Sequence, residues 1–228
     1  MLFLAVFTGF LAENQREHMV EHQRAKVYAA TLYEELKKDT AGINRTIQYI
    51  NYTVEKLDSF CLLGTERVQR NISTGMLYYY ASYTTGINLY ASENTTIEQL
   101  KSSGNLRLMG NNIAQLINEY GKKLNKLNNE YALTRPEFIK IEELYFKLFD
   151  GYATAALLSS KNRTSYRDSL LNITIPLIND DPLLMKEFIG WQKFEINIYL
   201  THISDFLTPL KQTATELLSM LKEEYHLE

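Results

Sequence analysis

Apolar residues recur at steps of three and four along most of this chain. The first such run is Ala25, Ala29, Leu32 and Leu36, then Ile43, Ile47, Ile50, Val54, Leu57 and Cys61. Steps alternating between four and three over several heptads predict a helix seamed for coiled-coil-like packing. Gly42 is its one weak point. Ahead of the run, Glu13–Arg24 is almost wholly polar, and ahead of that Met1–Ala12 carries no charge. The three stretches read as one continuous helix of about sixty residues, about 90 Å long at 1.5 Å per residue. Gly64 is placed to close it as a left-handed C-terminal residue.

The pattern then breaks into shorter pieces. Thr65–Thr85 predicts a second helix, centred on the tyrosines Tyr78, Tyr79, Tyr80 and Tyr83. Gly86–Asn94 reads as a loop. Thr95-Thr96-Ile97-Glu98 is a capping box that opens a short helix. A further helix carries Ile113, Leu116, Ile117, Tyr120, Leu124 and Leu127. Thr134-Arg135-Pro136-Glu137 reads as another capping box, with proline in the first turn where its missing N–H costs little. It opens a helix bearing Phe138, Ile141, Leu144, Tyr145, Leu148, Phe149 and Tyr152. Lys161–Asp180 is the one sizeable connection, expected to be tied down by Leu170, Leu171, Ile173, Ile175, Leu177 and Ile178. Asp181-Pro182 caps and starts the last helix. Its seam runs through Ile196, Leu200, Ile203, Leu207, Leu210, Ala214, Leu217 and Leu221, and Pro209 should bend it near Asp205. The expected fold is all-α. A long N-terminal helix continues from a membrane segment. It packs with a long antiparallel C-terminal helix and three or four shorter helices as an elongated bundle.

Composition narrows the function. The chain has 228 residues, 45% hydrophobic and 22% charged, with only 10 Gly and 4 Pro. That suits long helices and disfavours a turn-dense β sandwich. The net charge of −3 offers no global basic field for nucleic acid. Cys61 is the single cysteine, so no intramolecular disulfide and no multi-cysteine zinc site can form. It reads as a small buried hydrophobe, with an intermolecular disulfide as the functional alternative.

Candidate chemistry is sparse. His18 and His22 lie four apart on one helical face, and His18–His22 matches the H-x-x-E-H pattern of inverted zinc peptidases. A working site needs a third ligand and a closed cleft, so a solvated neck is the simpler reading. His202 and Asp205 at i, i+3 could orient a general base, but a helix-surface pair explains them as well. Glu223 and His226 form a lone Glu-x-x-His pair near the C-terminus. Glycine-rich phosphate loops, GxSxG, HExxH and CxxC are absent from the sequence. Six Asn-x-Ser/Thr sequons, at Asn44, Asn51, Asn71, Asn94, Asn162 and Asn172, read as by-products of an Asn- and Thr-rich chain. No catalytic residue, cofactor or metal is expected.

The N-terminus points to lipid. Leu2, Phe3, Leu4, Val6, Phe7, Phe10 and Leu11 leave no charged side on the helix, as lipid demands and a one-sided core does not. As a helix these twelve residues reach about 18 Å, short of a bilayer core of about 30 Å. Residues 1–12 are therefore read as an incomplete membrane segment, with 13–228 as the helical bundle domain.

Three stretches carry a resemblance: Val6–Glu17 (VFTGFLAENQRE), Tyr33–Thr40 (YEELKKDT) and Leu100–Leu108 (LKSSGNLRL). Together they resemble a family of uncharacterised single-pass membrane proteins of Bacteroidota-type bacteria. The resemblance covers the first helix and the middle of the chain, and none of its motifs is catalytic. It implies an N-terminal transmembrane helix, with more apolar residues ahead of Leu2, followed by an all-helical domain outside the cytoplasm. The implied location is the bacterial inner membrane, single-pass, with the main domain in the periplasm.

The expected role is therefore non-enzymatic: protein–protein interaction or self-assembly at a membrane. The partners are membrane lipid and either another protein or a second copy of this chain, without nucleic acid. The alternative is a ligand-sensing four-helix-type domain whose pocket is lined by Tyr78, Tyr79, Tyr80 or Tyr83.

Overall fold

A computed structural model describes residues 2–70, 72–85, 90–159 and 173–227. Among them every regular element is a helix. They are α1 (Leu2–Arg70), α2 (Thr74–Ala81) with a 3-10 turn (Ser82–Thr85), and α3 (Thr95–Ser102) with a second 3-10 turn (Asn105–Leu108). Then come α4 (Asn111–Leu148), α5 (Gly151–Ser159), α6 (Pro182–Thr201), a π-helical turn (His202–Leu207) and α7 (Thr208–Tyr225). The chain is an all-helical bundle, with a long helix near each end. It divides into two compact units, and α1 and α4 contribute to both.

Several expected boundaries shift. Gly64 does not end α1, which runs on to Arg70. It is instead where α1 is crossed closely: a Cβ there would meet Ile189 Cδ1 at 2.9 Å. The second helix starts at Thr74 rather than Thr65. Thr134–Glu137 opens nothing, because α4 passes through Pro136 without a break. Thr134 turns its hydroxyl back to the Glu130 carbonyl (2.9 Å) instead of capping a new helix. The capping box at Thr95 is also replaced. Asn94 is the N-cap residue, and the carboxylate of Glu35 on α1 accepts from Thr96 N (3.2 Å) and Thr96 Oγ1 (2.8 Å). The expected start of α6 holds, with Asp181 Oδ1 accepting from Leu183 N at 2.9 Å.

The first unit comprises Met1–Asn44, Ala91–Lys126 and Thr208–Glu228. Its core takes Ala25, Ala29, Leu32, Leu36 and Ile43 from α1, and Ile97 and Leu100 from α3. Ile113, Ile117, Tyr120 and Leu124 come from α4, and Leu210, Ala214, Leu217 and Leu221 from α7. The heptad step between Leu36 and Ile43 is occupied by Asp39, which is only 6% exposed. Its Oδ2 accepts from Ser92 Oγ and Tyr120 Oη, both at 2.6 Å, so one carboxylate ties α1 to the loop before α3 and to α4. Charge-assisted bonds of this kind are about twice as strong as neutral ones. Asp39→Asn keeps the shape and removes the charge. It should lower stability by about 1–2 kcal/mol in urea unfolding, and an unchanged midpoint would show that the carboxylate is not the tie.

The second unit comprises Arg45–Tyr90 and Leu127–Leu207. Five fully buried rings form its centre: Phe60, Tyr78, Tyr145, Phe149 and Phe188. The connection after residue 172 is tied down, as expected, but by its backbone more than by its side chains. Ile173 and Ile178 are exposed. The Ile173 carbonyl accepts from Gly75 N (3.1 Å) and Ser73 Oγ (2.6 Å), and Ile175 N donates to Thr74 Oγ1 (2.9 Å). Pro176 O accepts from Tyr78 Oη (2.9 Å), and Ile178 N donates to Leu148 O (2.9 Å). Leu170 and Leu171 lie outside the described residues. Cys61 is buried, as expected, and its thiol donates to the Ile189 carbonyl at 3.9 Å. Burial pushes that thiol up to about 11, so it stays protonated.

Candidate functional site

Two places in the molecule ask for more than packing. The first is the start of α1. Phe3, Val6, Phe7, Phe10 and Leu11 are all exposed, Phe3 by 80% and Phe10 by 69%. Ala25 is the first buried residue of the described chain. Phe3 and Phe7, one turn apart, stack on each other with centroids 6.3 Å apart. Leu2 and Leu4 belong to the helix, but their side chains lie outside the described residues. Among the described residues no helix is long and apolar enough to cross a membrane.

The second is a buried polar row on α6. Gln192, Glu195, Tyr199 and His202 follow one another at steps of three, four and three, so they share one face of the helix. All four are buried, and Glu195 is 0% exposed. Phe188 and Phe206 continue the row at either end, so polar side chains occupy the middle of an apolar seam. Thr84 Oγ1 donates to Gln192 Oε1 at 3.1 Å. Neither carboxylate oxygen of Glu195, nor Gln192 Nε2, nor His202 Nε2 has a hydrogen-bond partner among the described residues.

Electrostatics follow from that burial. Removal from water pushes the Glu195 carboxyl up to about 8. The nearby Tyr199 hydroxyl and Gln192 amide offset part of this, and the charge of Glu142 on α4 adds to it. Burial lowers His202 to about 4. Burial, together with the Glu195 charge, drives Tyr199 far above its ordinary value. At neutral pH the row therefore carries no charge: the glutamate holds its proton and the histidine has none.

This row was not legible from the apolar letters. Of the seam expected through Ile196, Leu200, Ile203 and Leu207, Ile196 and Leu207 are buried, Leu200 is exposed and Ile203 is half-buried. A second buried row, Glu195, Tyr199, His202 and Phe206, runs beside Ile196 and Leu207, and Leu210, Ala214, Leu217 and Leu221 follow. From His202 this row reaches Leu210 through Phe206 in two steps of four, while Ile203 reaches it through Leu207 in steps of four and three. The π turn at His202–Leu207 widens the helix there, and both Phe206 and Leu207 are buried in it. Pro209 is its cause: its ring crowds the Asp205 carbonyl and it has no N–H to offer, so the preceding turn widens. Near Asp205, where Pro209 is expected to bend the helix, the chain takes this π turn. What could have revealed it is the 3-4-3 spacing of Gln192, Glu195, Tyr199 and His202 between two phenylalanines.

The remaining candidates separate. His202 and Asp205 do not pair. His202 is buried edge-on to Tyr131 (centroids 5.2 Å) and Phe206 (6.0 Å), while Asp205 is exposed and accepts from Ser204 Oγ at 2.6 Å. His18 and His22 are exposed, and among the described residues no three His, Cys, Asp or Glu side chains are grouped to hold a metal ion. Glu223 and His226 are exposed. Tyr78, Tyr79 and Tyr83 are buried. The Tyr78 hydroxyl accepts from Asp150 N (2.8 Å), and the hydroxyls of Tyr52, Tyr83 and Tyr79 form a chain at 3.1 and 3.2 Å. Of the six sequons, Asn71, Asn162 and Asn172 lie outside the described residues.

No protein-family model, curated protein or solved structure matches this chain.

Proposed function

We propose that this chain is a membrane-anchored, non-enzymatic helical domain that acts by binding protein partners or by self-assembly. Its apolar first turns sit in lipid and its bundle lies on the periplasmic side of a bacterial inner membrane. The observation that carries the reading is the exposure of Phe3, Val6, Phe7, Phe10 and Leu11 on a helix whose first buried residue, among those described, is Ala25. Such an apolar, charge-free surface is unfavourable in water and marks a membrane or protein contact. Ile139 and Phe146, seven residues apart on α4, are also exposed and offer an apolar face to a partner.

The return of the C-terminal part of the chain alongside α1 belongs to the same proposal. It is supported inside the second unit, where the Cys61 thiol meets Ile189 and Arg67 binds Asp180. Numbers rise along α1 as they fall along the opposing chain.

The test is flotation of the full chain with phosphatidylethanolamine–phosphatidylglycerol vesicles. The native chain should float with the vesicles, and a variant with Phe3, Phe7 and Phe10 changed to Ser should stay behind. A detergent-free, monodisperse monomer that ignores the vesicles would overturn the reading.

A further inference from the structure

In the second unit, the end of α1 and the start of α6 border a cleft of about 780 Å³, inside the range of roughly 300–1,000 Å³ typical of small-molecule sites. Met185, Ile189 and the glycines Gly64 and Gly190 give it apolar walls. Its charges are unbalanced. Arg67 is already engaged by Asp180 through two hydrogen bonds. Lys186 and Lys193, seven residues apart and so on one side of α6, are exposed and form no ion pair among the described residues.

Gly190 carries the argument further. A glycine inside a helix costs about 0.5–1 kcal/mol relative to alanine. Gly64 has a packing reason, the close approach of Ile189. Gly190 has none. Its φ is not positive, and nothing lies within 4 Å of where a Cβ would stand. What its missing side chain leaves open is the cleft itself, flanked by the two lysines.

We propose that this cleft binds a single-chain amphipathic anion, a long-chain carboxylate of the fatty-acid class. Its tail lies against Gly64, Met185, Ile189 and Gly190, and its carboxylate is held by Lys186 and Lys193. Apolar walls supply burial of the chain, and two ammonium groups without acidic partners select the sign of the head. The site is distinct from the exposed turns at the start of α1 and does not depend on their function.

Isothermal titration of the full chain with laurate, kept below its micellar concentration, tests this. Saturable one-site binding is expected. Gly190→Phe projects into open space, so it should weaken binding by about tenfold or more while leaving the urea midpoint unchanged or raised. Lys186→Glu with Lys193→Glu should weaken laurate by a similar factor. It should also make dodecyltrimethylammonium, the cationic amphiphile of equal chain length, the better ligand. The proposal falls if laurate binds both variants as it binds the native chain, if the native chain does not prefer the anion over the cation, or if no saturable binding occurs.

Discussion

Phe149→Ala should destabilise the second unit by about 3–5 kcal/mol, the loss expected for deleting a fully buried ring. Phe149 is the first residue past the end of α4, where its N–H still donates to the Tyr145 carbonyl (2.8 Å) as the last rung of the ladder. Its ring makes the contacts across the unit. It stacks on Tyr145 (centroids 4.8 Å), meets Tyr78 edge-on (5.0 Å), and lies 5.9 Å from Phe188 and 6.1 Å from Phe60. Those four partners come from α4, α2, α6 and α1, so one side chain couples every long element of the unit. Aromatic pairs add about 0.5–1.5 kcal/mol beyond their buried area, and the alanine variant loses all four at once. The next residue feels it too, because Asp150 N donates to the Tyr78 hydroxyl. Trp191, the only tryptophan, belongs to this unit, so urea unfolding followed by its fluorescence reads the effect where it occurs. Phe149→Leu keeps some of the volume but none of the ring pairs and should fall between native and alanine. A loss below about 1 kcal/mol for Phe149→Ala, the level of an ordinary surface change, would mean that the ring cluster is not the unit's keystone.

How much of this was legible beforehand depends on what the apolar letters encode. The seam from Ala25 to Leu36 was, since each of its positions is both apolar and buried. Farther along α1, Ile43, Ile50 and Leu57 are buried as expected, but Ile47 and Val54 are only half-buried while Thr53 and Phe60 are fully inside. The buried arc is broader than a two-stranded seam and takes in both flanks of the Ile43–Leu57 row. That width belongs to a helix with neighbours on two sides, which periodicity alone does not report. Capping signals divided by context. Asp181-Pro182 works locally and was readable. The cap of α3 comes from Glu35, sixty-one residues away, and could not be read. From α6 into the π turn the letters told half: Ile196 and Leu207 are buried as the heptad predicts, Leu200 and Ile203 are not, and Gln192, Glu195 and His202 share the interior. The exposed N-terminal turns were the most legible feature, because a run without charge needs no partner to be recognised.

Raising the pH from about 6.5 to 8 should weaken the native fold by about 1 kcal/mol, the limiting slope being about 1.4 kcal/mol per unit for one proton. Glu195 holds its proton in the folded chain up to about 8, whereas an unfolded glutamate releases it near 4.5. Between those values the unfolded state binds fewer protons, so stability is full below 4.5 and drains away as pH climbs through 8. His202 acts in the opposite sense. Its folded value of about 4 lies under the unfolded 6.5, so its contribution is complete above 6.5 and is lost as pH falls towards 4. From 4.5 to 6.5 the two slopes cancel, and above 6.5 only the glutamate's remains. Glu195→Leu removes that slope and two buried oxygens that have no hydrogen-bond partner among the described residues. The variant should be more stable than native at pH 8, by about 2–4 kcal/mol, as when other buried charges are exchanged for apolar side chains. Its stability should rise from pH 4 to 6.5 and then level off, with His202 acting alone. Urea midpoints at pH 5, 6.5 and 8, read by Trp191 fluorescence, separate the two profiles. A native chain whose midpoint is flat between 6.5 and 8, or a leucine variant that is weaker than native at pH 8, would mean that the carboxyl of Glu195 is solvated or paired in the folded protein. The buried row would then be a stabilising network rather than a burden that the rest of the core carries.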